Sequence, residues 1–216
     1  MKRNVLGLLM IGLFVLAYAA PAPANTGDVA RWEFDVYLND RKVGKHSFEV
    51  VDENGVREVT SEASFVYRIL FIPAFRYEHR SAERWADNCL VEFDARTNAT
   101  GDRIEVSGER TGSGFLVEKG DNPVELPGCV MTFAYWNPEL LQQTRLLNPQ
   151  TGEYVGVSVE QVGTETLMVN GEPRAANRFR LRAYEVDLTL WYSPDDEWLA
   201  LESVAEGNNI IRYERS

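Results

Sequence analysis

Hydrophobic and polar residues alternate with a period of two over most of the chain. The first such segment places one set on a buried face, namely Trp32, Phe34, Val36 and Leu38. The residues between them form the solvent face, namely Arg31, Glu33, Asp35 and Tyr37. Successive side chains of a strand point to opposite faces, so this pattern predicts a half-buried antiparallel strand.

The same alternation returns after the turn residues Asn39 and Asp40, and it places His46 in line with Phe48 and Val50. Further strands are predicted near residues 56–67, 75–85, 89–95, 102–107, 114–117, 154–162, 165–169, 174–183, 185–192, 198–204 and 210–213. Turn formers separate many of them, for example Asn54-Gly55 and Asn170-Gly171.

This spacing predicts an all-β protein, either a sandwich or a strongly curved sheet. We favour a single antiparallel, strongly curved, barrel-like sheet of about a dozen strands, because nearly every connection reads as a simple hairpin. Alternation also fits an outer-membrane barrel, but the last predicted strand ends in the polar residues 212–216 and most strands carry charges on one face.

One short helix is predicted beside these strands. Asn137 is a good N-cap, Pro138 suits the first helical position, and Leu140 and Leu141 can dock the segment on the core.

The N-terminus has the pattern of a secretory signal. A basic start at Lys2-Arg3 precedes an apolar run at 5–17, and two small-x-small sites follow at 17–19 and 22–24. We therefore expect a signal peptide at 1–24, a single barrel-like domain at 25–216, and a periplasmic or secreted protein. The apolar run is short for a membrane span, and no later stretch resembles a stop-transfer helix.

The charge balance disfavours nucleic acid as a partner. The chain has a formal net charge of −11, which would repel a polyanion. One group of arginines, Arg174, Arg178, Arg180 and Arg182, would form a local basic patch or simply a solvated strand face, and we favour the second interpretation.

The chain contains two cysteines, Cys89 and Cys129. In an oxidising compartment an even pair favours a disulfide bond. Two cysteines without a histidine cluster do not make a tetrahedral metal site, and we expect no metal and no cofactor.

Several short segments, taken in order, resemble a family of exported bacterial proteins known only as a domain of unknown function. They are Trp32–Val36, Val43–His46, Tyr77–His79, Glu83–Trp85, Cys89-Leu90, Ala134–Pro138 and Leu190–Tyr192. The resemblance covers most of the chain and implies a periplasmic location and one β domain. It implies no activity and no catalytic residues.

The two histidines are the first candidates for chemistry. His46 lies in line with buried residues, and His79 shares its face with Tyr77, Ser81, Glu83 and Trp85. This mixture of polar and aromatic side chains suits a lined cavity, although both imidazoles can also be hydrogen-bonded parts of the sheet. A serine–histidine–acid site would need residues from neighbouring strands, because His79 and Glu83 are about 13 Å apart along one strand.

Tyr135 and Trp136, directly before the predicted helix, are the second candidates, as a pocket wall or as helix anchors. We predict a ligand-binding site of His46, Tyr77, His79, Trp85, Tyr135 and Trp136. The leading hypothesis is a carrier or binding module for a small apolar or amphipathic ligand such as a lipid. The alternatives are an envelope assembly protein that acts through strand edges and, third, a hydrolase.

Overall fold

Antiparallel strands make up most of the computed structural model, which describes residues 27–69, 72–184, 186–204, 207 and 209–216. The predicted signal segment 1–24 lies outside the described residues. The strands are β1 (Asp28–Leu38), β2 (Arg41–Glu53), β3 (Val56–Ile69), β4 (Ile72–Ala86), β5 (Cys89–Ala99), β6 (Asp102–Arg110), β7 (Phe115–Glu118), β8 (Val124–Leu126), β9 (Arg145–Leu147), β10 (Tyr154–Gly156), β11 (Ser158–Val169), β12 (Glu172–Ala183), β13 (Val186–Tyr192), β14 (Trp198–Val204) and β15 (Ile210–Arg215).

Thirteen of these strands form one sheet in the order β11-β12-β13-β14-β15-β1-β2-β3-β4-β5-β6-β7-β8. Two meanders, β1 to β8 and β11 to β15, are joined where β15 pairs with β1, so that Phe34 lies opposite Arg215. The edge strands β8 and β11 are not hydrogen-bonded neighbours in this order, so the sheet of the described residues is open. Inward residues of both meanders, such as Phe93 and Leu181, belong to one hydrophobic core, so the sheet is curved. The predicted curved antiparallel sheet is confirmed.

Tight turns connect the hairpins where the sequence contains Asn-Gly. Asn54 and Gly55 both have positive φ, 56° and 81°, and Asn170 and Gly171 repeat this with 52° and 81°. Two positive φ values define the type I′ turn, whose twist matches that of paired strands. These turns set the register in which alternate residues face inward.

The alternation predicted for β1 and β2 holds. Phe34 and Val36 are buried, and Trp32 and Leu38 at the flanks are half-buried. In the neighbouring strand His46 is buried together with Phe48 and Val50.

Residues 127–157, here called the connecting segment, run from one edge of the sheet to the other and fill its interior. Their buried members, Val130, Met131, Ala134, Trp136, Leu140, Leu146 and Leu147, belong to the main hydrophobic core. The segment is held by backbone hydrogen bonds, from Leu90 N to the Val130 carbonyl at 2.9 Å and from Leu147 N to the Met131 carbonyl at 2.8 Å.

The predicted helix is present as a 3₁₀-helix at Pro138–Gln142, with the Asn137 side chain accepting a hydrogen bond from Glu139 N at 3.1 Å. Leu140 is buried and anchors it to the core. Within the described part of the chain, no helix is both long enough and apolar enough to cross a bilayer.

The division of two neighbouring strands differs from the prediction. The segments expected at 154–162 and 165–169 are instead a short strand, β10, and one long strand, β11, which runs through Gly163. The register shifts between Gln161 and Gly163, so this glycine forms a β-bulge and not a turn. The alternation did not predict the short strands β8 and β9.

The predicted disulfide joins Cys89 and Cys129, with the Cα atoms 5.0 Å apart. It ties the start of β5 to the connecting segment. The closed loop spans a sequence separation of 40 residues.

Candidate functional site

The inner face of β2 to β5 carries polar and small residues where the rest of the sheet carries large apolar ones. Ser61 lies opposite Ser81, and Ala63 lies opposite His79. Small side chains at the centre of two neighbouring strands leave the interior unfilled, because the adjacent backbone cannot close the gap. This placement produces a cavity.

His46 is fixed on both sides of its ring. Its Nε2 is 2.7 Å from Ser61 Oγ, its Nδ1 is 3.2 Å from Tyr213 Oη, and the ring stacks on Phe48 with centroids 4.2 Å apart. Burial lowers the pKa of His46 to about 3, because a charged imidazolium is poorly solvated in the core. The ring is therefore neutral at physiological pH.

His79 lies on the next strand but one and is buried in the same region. Its Nδ1 is 2.9 Å from Thr97 Oγ1. Burial lowers the pKa of His79 to about 4. Both histidines thus contribute neutral polar groups and no positive charge.

Glu83 is the one acidic side chain on this inner surface among the described residues, and it is buried. Trp85 Nε1 donates a hydrogen bond to its carboxylate at 2.9 Å, and Thr132 Oγ1 of the connecting segment donates at 3.4 Å. Burial raises the pKa of Glu83 to about 7, and these two hydrogen bonds oppose the rise. The carboxyl is therefore close to half ionised at neutral pH.

A cavity of about 260 Å³ lies between β2 to β4, the connecting segment and the strands β13 and β14. Its polar wall consists of His46, Ser61, His79, Ser81 and Glu83. Its apolar wall includes Phe48, Val59, Phe133, Trp136, Val186 and Leu188. Gln150, which also lines it, is exposed, so the cavity reaches the surface beside residues 148–150.

Four of the six predicted site residues line this cavity, namely His46, His79, Tyr135 and Trp136. Tyr77 is a neighbour, stacked on Phe65 with centroids 5.2 Å apart, but it does not line the cavity. Trp85 lies behind the wall, packed edge-on against Trp136 at 5.5 Å, and its indole is fully buried. Four of the predicted residues therefore lie together at one cavity, whereas Tyr77 and Trp85 pack beside or behind its wall.

The sequence analysis did not select Glu83, Ser61, Ser81 or Thr132 as site residues. The parity of β4 had already placed Ser81 and Glu83 on the face of His79, and this was the available signal. Thr132 lies 49 residues from Glu83, and no local pattern indicates their contact.

The contact between Ser61 and His46 resembles a nucleophile and its base. However, an imidazole with a pKa of about 3 is a weak base at neutral pH. The group on its other nitrogen is the Tyr213 hydroxyl, not a carboxylate that would stabilise an imidazolium. The contacts of His46 therefore fix the positions of the Ser61 and Tyr213 hydroxyls and do not activate Ser61 as a nucleophile.

The outer surface differs in character from the cavity. A larger groove of about 710 Å³ crosses β2 to β6, and its lining includes the charged residues Lys45, Glu62, Arg80, Arg96 and Glu105. His79 and its partner Thr97 also line this groove, so His79 borders both concavities. Opposite charges pair across the groove, for example Arg80 with Glu62 at 3.3 Å. Its apolar members, such as Ala63 and Ile104, are few and small, and it has no aromatic wall like that of the cavity.

The four arginines of the predicted basic patch each contact an acidic side chain. Their pairs are Arg174 with Glu197, Arg178 with Glu165, Arg180 with Asp187, and Arg182 with Glu160. The local positive charge is therefore neutralised, as expected for a solvated strand face. Among the residues that the structure describes, no group of three or more His, Cys, Asp or Glu side chains is placed to hold a metal ion.

Fold and cavity together define a barrel-like antiparallel β protein with a partly polar interior. The chain belongs to the family described as a domain of unknown function, DUF6134, whose model matches residues 34–216. A comparison with curated proteins finds no match.

Among solved structures, the chain is similar to a beta-barrel-like protein of the domain of unknown function DUF1849 from Brucella abortus. The TM-score is 0.65 at 10% sequence identity, over 89% of this chain and 97% of that one. At this identity the similarity concerns the fold alone.

Proposed function

We propose that this protein binds and carries a small amphipathic ligand in the cavity enclosed by β2 to β4, β13 and the connecting segment. The observation that carries the proposal is the unlike character of the two cavity walls. Aromatic and aliphatic side chains offer apolar contact on one side, and five polar side chains offer hydrogen bonds on the other.

The size of the cavity limits the ligand. A volume of about 260 Å³ lies just below the range of about 300–1,000 Å³ that is usual for drug-sized ligands. It corresponds to about nine molecules of liquid water, and hence to a ligand of about nine non-hydrogen atoms. A whole phospholipid is too large, whereas a short amphiphile fits.

We further propose that the protein works in the periplasm or is secreted. The disulfide between Cys89 and Cys129 supports this location, because such bonds persist in oxidising compartments. The expected signal at 1–24 agrees with it.

A second candidate function is assembly through a strand edge. β11 is an edge strand of 12 residues and pairs only with β12 in the described sheet. Its bulge at Gly163 and its charged residues Glu160 and Glu165 are features that discourage edge pairing. We therefore place ligand binding first.

Native mass spectrometry after gentle purification tests the proposal. The wild type should carry a bound small molecule, and Ser81→Leu, which fills the cavity, should lose it. Ala82→Leu is the matched control, since Ala82 is the next residue on β4 and faces solvent. Trp136→Ala is a poorer test because Trp136 belongs to the hydrophobic core.

A wild type without bound molecule that also fails to bind any short amphiphile in solution would end the carrier proposal. Equal retention of ligand by Ser81→Leu would place the site elsewhere.

A further inference from the structure

Glu83 is a buried carboxyl with no cation beside it. It forms no ion pair with any residue that the structure describes, and no lysine or arginine is among the described residues that line the cavity. Buried acidic side chains are normally paired with a positive charge. Its hydrogen-bond donors are Trp85 Nε1 and, at the long distances of 3.4 and 3.5 Å, Thr132 Oγ1.

Other acceptors lie on the same wall. Ser81 lines the cavity, and its hydroxyl has no hydrogen-bond partner among the residues described. The Ser61 hydroxyl contacts His46 and keeps a second lone pair. The polar wall therefore offers a carboxyl and hydroxyl oxygens to a ligand but no positively charged donor.

We propose that the cavity selects small amphiphiles with a protonated amine, whose ammonium group pairs with Glu83 while the apolar tail lies against the aromatic wall. This inference rests on the proposed ligand-binding function and specifies its ligand class. An ammonium has three N–H donors, enough for the carboxylate and two hydroxyls. The aromatic residues Phe48, Phe133 and Trp136 line the cavity, and aromatic π-systems attract cations rather than anions.

The other titratable or charged groups around Glu83 do not replace this cation. His79 on the same strand and His46 on β2 are neutral, because burial lowers the pKa of each to about 4 and about 3. Tyr135 is neutral as well, since burial raises its pKa. Arg57 on β3 lies over the Trp136 ring, 5.1 Å from its centroid, and bonds to Asn88.

Binding of an ammonium should be linked to loss of a proton from Glu83. With a pKa of about 7 this group is about 1% ionised at pH 5 and mostly ionised at pH 8, whereas an alkylamine stays protonated throughout. The apparent affinity should therefore be about a hundredfold weaker at pH 5 than at pH 8. A carboxylate ligand should show the opposite trend, because ionised Glu83 repels it.

Calorimetric titration with hexylamine, hexan-1-ol and hexanoate tests the inference, because the three probes share one tail and differ in the head group. We expect hexylamine to bind best at pH 8 and to weaken on acidification. Glu83→Gln should weaken hexylamine at least tenfold, abolish its pH dependence and change hexan-1-ol less than threefold. Glu78→Gln is the matched control, because Glu78 is an exposed carboxyl on the same strand.

The outcomes separate the two proposals. Binding of hexan-1-ol or hexanoate without preference for hexylamine would overturn the amine inference and leave the carrier function standing. Absence of binding by all three probes would count against both. If Glu83→Gln does not fold, the head-group preference of the wild type at pH 8 decides, and hexylamine binding no tighter than that of hexan-1-ol overturns the inference.

Discussion

The interior of the sheet differs between its two meanders, although both alternate with the same period. In β12 to β14 most inward residues are large and buried, namely Leu181, Leu190, Tyr192, Trp198 and Leu201, while Leu188 also borders the cavity. In β2 to β5 the corresponding residues include His46, Ser61, His79, Ser81, Glu83 and Thr97. The comparison shows that one strand pattern builds a dry core or a polar cavity, depending only on the size and polarity of the inward side chains.

The largest effect on stability should come from the disulfide that holds the connecting segment against β5, in the meander that carries the polar inward residues, here called the polar half. Replacing Cys89 and Cys129 together by alanine should lower the free energy of unfolding by about 4 kcal/mol, because the open chain gains entropy when unfolded. Urea denaturation of the oxidised wild type and the double variant measures this. A loss below about 1 kcal/mol would show that the segment is held by packing alone.

A cavity created in the meander β11 to β15, here called the dry half, should lower the free energy of unfolding nearly as much. Leu190 is fully buried, and Leu190→Ala should lower stability by about 3 kcal/mol through lost burial and an unfilled void. Ser81→Ala in the polar half should cost less than about 1 kcal/mol, because that site already borders empty space. Equal losses in the two variants would erase the contrast between the halves.

The buried carboxyl should make stability depend on pH in the polar half. Burial raises the pKa of Glu83 to about 7 in the folded protein, above its ordinary value of 4.5, so the folded state binds the proton more tightly. The stabilising contribution of the protonated form is complete below pH 4.5 and is lost as pH rises through 7, in total about 3 kcal/mol. In urea denaturation, the free energy of unfolding of Glu83→Gln should therefore rise relative to that of the wild type by about 3 kcal/mol between pH 4.5 and pH 8.

Glu78→Gln is the control for this prediction. The difference in unfolding free energy between this variant and the wild type should stay nearly constant from pH 4.5 to pH 8. If the difference in unfolding free energy between Glu83→Gln and the wild type does not change with pH, the Glu83 carboxyl is ionised in the folded protein throughout the range from pH 4.5 to pH 8.

The smallest effect should come from the outer face of the dry half. Arg180 donates two hydrogen bonds to Asp187, at 2.9 and 2.5 Å, and both side chains are partly exposed. A double-mutant cycle with alanine should give a coupling of about 0.2–1 kcal/mol, because solvent screens exposed pairs. The arginine lowers the pKa of Asp187, so the coupling should disappear when acid protonates that carboxyl. A coupling above about 2 kcal/mol would show that the outer ion pairs also carry the fold.

The sequence predicts those features that depend on neighbours along one strand. It placed His46 and His79 on the inner face, and the Asn54-Gly55 turn fixes the register of β2 against β3, the strand that lies between the two histidines. The path of the connecting segment was not predictable, because it depends on contacts between distant residues. One is the hydrogen bond from Tyr192 Oη to the Tyr135 carbonyl at 2.8 Å. The wall opposite Glu83 comes from this segment, and the local pattern therefore indicated only half of the site.

The pairing of β15 with β1 has a consequence for the order of folding. Each meander is built from hairpins between consecutive strands, and such local contacts form early. The seam between Phe34 and Arg215 joins opposite ends of the chain, so its formation carries the largest loop-closure entropy. We expect the two meanders to form first and the seam to close last, in the rate-limiting step. If the contacts between β1 and β15 are absent from the transition state, substitutions there should mainly accelerate unfolding. If these contacts are already present in the transition state, the same substitutions should slow refolding.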